Sequence, residues 1–133
     1  NKIILLVADF PEKQLRILSY DPETEAISTL ATLPRSITKD CYNLQLMLSP
    51  LMLVRQGQEN TLEILWPVQK TYVMDLRESF QFRHGDELYF ETWYEDPDYR
   101  DEIVIRDFHT GNVLRRLPGI LMTTPDGDIW MLD

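Results

Sequence analysis

Apolar residues along this chain come in short bursts that alternate with polar ones at a two-residue period, the signature of β-strand rather than helix. Leu15 and Ile17 alternate with Arg16 and Leu18, Leu62 and Ile64 with Glu63 and Leu65, and Ile103 and Ile105 with Val104 and Arg106. Each burst follows another apolar run, near Leu6, Leu53 and Leu88, across a polar turn. Each is followed by turn chemistry: Asp21-Pro22-Glu23-Thr24, Pro67-Val68-Gln69 and His109-Thr110-Gly111-Asn112. Proline fixes φ, glycine accepts positive φ, and Asp or Asn bonds to nearby backbone. Third strands are expected at 26–32, 71–76 and 112–117, and fourth strands at 44–48, 79–83 and 120–124, with a restart at 129–132. One stretch, 36–48, carries two periods. Ile37, Cys41, Leu44 and Leu48 suit a helix face, whereas Tyr42, Leu44, Leu46 and Leu48 alternate. We read it as strand, and any helix is confined to it.

The bursts resemble one another. The segments starting at Leu6 and Leu53 match without a gap at six of thirteen positions, and a third copy runs from Leu88 to Ile105 over a longer connection. Leu15, Leu62 and Ile103, spaced by 47 and then 41 residues, are expected at equivalent buried sites. Four strands per unit of about 40 residues, with Tyr20-Asp21-Pro22-Glu23-Thr24, Asp107-Phe108-His109-Thr110-Gly111 and Thr124-Pro125-Asp126-Gly127 turns, resemble the blades of a β-propeller. The pattern departs from the family's usual repeats, with no Trp-Asp pair closing the third strands and no paired glycines. The fold expected is therefore all-β, in antiparallel four-stranded meanders resembling about three propeller blades, the alternative being a small antiparallel β-sandwich. It would form one domain over 1–133, either whole, completed as a homodimer, or cut from a larger parent chain.

Chemistry is sparse. The single cysteine, Cys41, excludes an internal disulfide and reads as a small buried hydrophobe with no activating group beside it. His84 and His109 sit in turns at no metal-ligand spacing, and Asp126-Gly127-Asp128 lacks the other oxygen ligands of a calcium loop. Phosphate loops, dinucleotide fingerprints and nucleophile elbows are missing from the sequence. No catalytic, cofactor or metal residue is assigned.

Charge changes the picture. The chain carries 13 basic and 22 acidic residues, a net charge of −9. Eight of the acids and one base, Arg100, fall within 86–102, together with Tyr89, Phe90, Trp93, Tyr94 and Tyr99. The extra length of the third copy falls there too. Alternation puts Leu88, Phe90, Ile103 and Ile105 on one buried face, pairing Phe90 with Ile105 and Thr92 with Ile103. Arg106 would then stack on Tyr89, and Trp93 would lie opposite Glu102. The expected partner site comprises Tyr89, Glu91, Trp93, Tyr94, Glu95, Asp96, Asp98, Tyr99, Asp101 and Arg106. Its chemistry suits a protein with a basic surface and opposes nucleic acid and acidic membranes. The expected role is a non-enzymatic protein-interaction module in the cytoplasm. An acidic immunity protein blocking a basic nuclease and a carbohydrate-active propeller fragment are the alternatives.

Overall fold

The computed structural model describes residues 1–57, 59–123 and 129–132 of the chain. The turn expected at 124–127 and the Asp126-Gly127-Asp128 fragment lie outside the described residues. Strands fall where the two-residue period places them. A first sheet joins β1 (Ile3–Asp9), β2 (Gln14–Tyr20) and β3 (Ile27–Pro34), in that order. A second joins β4 (Leu44–Leu48), β5 (Leu51–Gly57), β6 (Thr61–Trp66) and β7 (Lys70–Val73). A third joins β8 (Ser79–His84), β9 (Glu87–Tyr94), β10 (Arg100–Asp107) and β11 (Val113–Pro118), and a fourth β12 (Ile120–Thr123) and β13 (Ile129–Leu132). Every pairing is antiparallel. The protein is thus all-β, and its only helical element among the described residues is a single 3-10 turn, Arg35–Ile37.

The strand that ends each sequence unit joins the sheet that follows it. β4 pairs with β5 across the two-residue turn Ser49-Pro50, whereas the route from β3 to β4 spans 35–43. β8 and β9 likewise meet across Gly85-Asp86, where Gly85 adopts φ +59°, the left-handed conformation that tight hairpin turns require. Connection length alone does not decide the sheet: β11 and β12 change sheets across Gly119 alone, whereas β2 and β3 pair across 21–26. Cys41 falls in the long connection and is exposed rather than buried.

Both faces of the second sheet are covered. Leu53 and Leu65 on one face pack with Leu15, Ile17 and Leu33 of the first sheet. Met52, Val54, Leu62, Ile64 and Tyr72 on the other pack with Phe80, Leu88, Phe90, Val104 and Phe108 of the third. The sheets therefore stack in chain order. Burying a large aliphatic or aromatic side chain contributes roughly 1.5–3 kcal/mol, so these two layers carry most of the stabilisation.

Two turns share the same pair of backbone hydrogen bonds. Asp21 N–H donates to Ala26 O and Glu25 N–H to Asp21 O; Asp107 N–H donates to Asn112 O and Gly111 N–H to Asp107 O. The Asp21 and Asp107 carboxylates each accept a backbone N–H, and Thr24 and Thr110 hydroxyls accept from the residue two further on. Leu15, Leu62 and Ile103 are all fully buried as expected. Matching the two turns, however, sets Ile103 level with Ile17, two residues away from the Leu15 of the sequence repeat.

Two arginines lie inside. Arg106 Nε donates to Glu78 Oε2 at 2.7 Å, Nη2 to Glu78 Oε1 at 2.9 Å and Nη1 to Gly111 O at 2.9 Å. Arg55 bridges Asp40 at 3.1 Å and Glu63 at 3.3 Å. Both guanidinium groups are held above their ordinary pKa, first by these carboxylate hydrogen bonds. Each pair ties a connecting segment, at Asp40 and at Glu78, to a central strand.

Candidate functional site

The acidic segment is the β9–β10 hairpin. Its register is one residue off the alternation-based expectation: Leu88 pairs with Arg106, Phe90 with Val104, Glu91 with Ile103, Thr92 with Glu102, and Trp93 with Asp101. Leu88, Phe90, Val104 and Arg106 therefore share the face turned to the second sheet. Tyr89, Ile103 and Ile105 share the other, where Tyr89 and Ile105 line a groove with Leu121, Ile129 and Met131 of the fourth sheet. Arg106 does not meet Tyr89. It is buried against Glu78, its guanidinium 5.8 Å from the Phe90 ring centre, and is a structural cation rather than a partner-facing one. Tyr89 instead stacks on Phe82, centroids 4.5 Å apart, and its hydroxyl donates to Glu87.

Other expected site residues divide between structure and surface. Glu91 Oε1 accepts Leu121 N–H at 2.9 Å, pinning the fourth sheet to the third. Tyr94 donates to Glu102, which also receives Arg116 at 2.9 Å, and Arg116 reaches Asp75 at 3.1 Å. Burial, and then the neighbouring Glu102 charge, push the Tyr94 hydroxyl above its ordinary pKa. These four groups brace the hairpin's flank.

The tip is different. Trp93, 37% exposed, stacks with exposed Tyr99 at 6.2 Å and carries the Arg77 guanidinium 4.3 Å from its ring centre. Arg77 is the residue that reading along the chain misses, since it belongs to the connection before β8 and meets Trp93 only in the fold. Tyr99 donates to Asp101 at 3.1 Å, which raises its hydroxyl pKa. Arg100 bonds the main chain of the tip rather than its carboxylates: its guanidinium lies 4.5 Å from the Tyr94 ring centre and donates to Asp96 O at 2.8 Å and Asp98 O at 3.5 Å. Glu95, Asp96 and Asp98 are exposed, and no ion pair among the described residues engages them. Three exposed carboxylates without an ion pair among the described residues thus share the tip of the hairpin with an aromatic pair.

Elsewhere little chemistry gathers. His109 Nε2 lies 3.1 Å from Asp86 Oδ1, both exposed, and His84 is exposed. Among the described residues no group of three or more His, Cys, Asp or Glu is placed to hold a metal. No helix among them is long and apolar enough to cross a membrane. Comparison with family models, with curated proteins and with solved structures found no match for the chain.

Proposed function

We propose that the stacked meanders are successive blades of a β-propeller, and that the chain is a non-enzymatic interaction module whose β9–β10 tip receives a basic protein partner. Support for blades comes from the second sheet, which is core on both faces; a two-sheet sandwich would have one core. Support for the docking role comes from one arrangement: Glu95, Asp96 and Asp98, exposed and without an ion pair among the described residues, lie on the same hairpin tip as the half-open Trp93–Tyr99 stack. Such a tip offers what a Lys- or Arg-rich surface seeks. The acids attract it over about 8–10 Å at ordinary salt, Trp93 supplies apolar area, and the exposed Tyr99 ring, which Arg77 does not cover, supplies a π-face for a cation. Nucleic acid would meet like charge.

The test uses the purified chain as bait at low and high salt, beside Asp96→Asn/Asp98→Asn and Trp93→Ala variants, with the retained partner then measured by binding kinetics. The first variant should slow association and flatten its salt dependence. The second should speed dissociation by roughly tenfold or more, as loss of an interface aromatic does. A partner that binds both variants like the parent would overturn the assignment of this site.

A further inference from the structure

Among the described residues, the first and the fourth sheet each leave one apolar face uncovered. On the first sheet, Ile3, Leu5, Leu18 and Tyr20 lie on the face turned away from the second sheet, continued by Ile27 on β3. Ile3, Leu5 and Ile27 are 48%, 40% and 64% exposed. Matching the Asp21 and Asp107 turns sets Leu18 at the place of Val104. Strand pairing then sets Leu5 at Phe90 and Ile3 at Leu88. In the third sheet all three of those positions are fully buried beneath the second sheet. The same face of an equivalent sheet is core in one place and open in the other. At the opposite end, Leu121, Ile129 and Met131 border the groove against the third sheet, Ile129 and Met131 still 43% and 56% exposed. Met122 and Trp130, paired across the β12–β13 hairpin, therefore turn away from it and stand 46% and 57% exposed.

We propose that a second copy of this chain covers both faces, head to tail: the fourth sheet of each copy lies on the first sheet of the other. The first sheet's open face is of the kind that, within the chain, receives a preceding sheet; the fourth sheet's open face is of the kind that covers a following one. One further copy supplies both at once. Two copies bring four complete four-stranded sheets together with two three-stranded and two two-stranded ones, within the roughly 4–8 blades that close into a ring. Closure by two such contacts leaves neither apolar face in water. Asp96 and Asp98 belong to neither of the two open faces.

Sedimentation equilibrium tests it. The parent should weigh twice its 15.7 kDa chain mass. Leu5→Asp and Trp130→Asp should each weigh as one chain, because either change damages both contacts of the ring. Mixing the two variants should restore a two-chain species, since one copy then offers a sound fourth sheet and the other a sound first sheet. Asp96→Asn/Asp98→Asn should stay dimeric. Circular dichroism checks that the strands persist, and Ile27→Asp, on the same open face, replaces Leu5→Asp if that variant unfolds. A monomeric parent overturns the pairing, as does a species larger than two copies. A Trp130→Asp chain that remains dimeric overturns it as well, because the first sheets would then pair with each other.

Discussion

At the base of the β9–β10 hairpin, Arg106 is enclosed, and Glu78 and Gly111 accept from all three of its guanidinium nitrogens. At the tip of the same hairpin, Glu95, Asp96 and Asp98 stand in water with no such partner among the described residues. The base uses one matched pair to lock a connecting segment onto a strand, where an unpaired charge would be intolerable. The tip leaves its charges unmatched where solvation makes that inexpensive. Fold and binding therefore draw on the same residue types, and partner geometry separates the two uses.

The sharpest way to break this contrast is at Glu78. Glu78→Ala leaves Arg106 buried without its carboxylate and should cost about 3–5 kcal/mol in urea unfolding. A loss near zero would mean that water reaches the base as freely as the tip. Gly111→Ala comes next. A Cβ there would lie 2.9 Å from Tyr72 Cδ1, and φ is +77°, so a loss of about 1–2 kcal/mol is expected. Glu25, at the matching place in the exposed Asp21 turn, already carries a side chain at φ +61°, so Glu25→Ala should change stability little.

Alkali probes the base more gently. Burial lifts the Tyr72 hydroxyl, which donates to Phe108 O, from its ordinary value of 10.0 to about 12. The unfolded chain releases this proton near pH 10 and the folded chain keeps it until about 12, so the contribution is whole below 10 and is lost as pH rises through that window. Tyr72→Phe should flatten the alkaline limb. The smallest expected effect is at the tip: Asp96→Asn/Asp98→Asn should alter stability by no more than about 0.5 kcal/mol. A larger loss would assign those acids to the fold.

How much was legible follows from the same contrast. All strands could be located because alternation and turn residues mark them locally. The hairpin register could not, because Ile103, Val104 and Ile105 are consecutive apolar residues with neighbours on both faces. Alternation fixes register only when one face is polar. Arg106 read as a surface cation because Glu78, its partner, lies 28 residues upstream, beyond any local pattern. The acids and aromatics of the tip were visible as composition, whereas the Arg77 lid on Trp93 was not.

Every hydrogen-bonded strand neighbour in this protein is also a neighbour along the chain. Each hairpin can therefore close without waiting for a distant segment, and loop-closure entropy stays small at every step. The same connectivity governs how the chain responds to force. β1 and β13 each pair with a single strand among the described residues, so pulling on those two strands should peel the sheets away strand by strand, and extension should proceed in small steps rather than a single rupture.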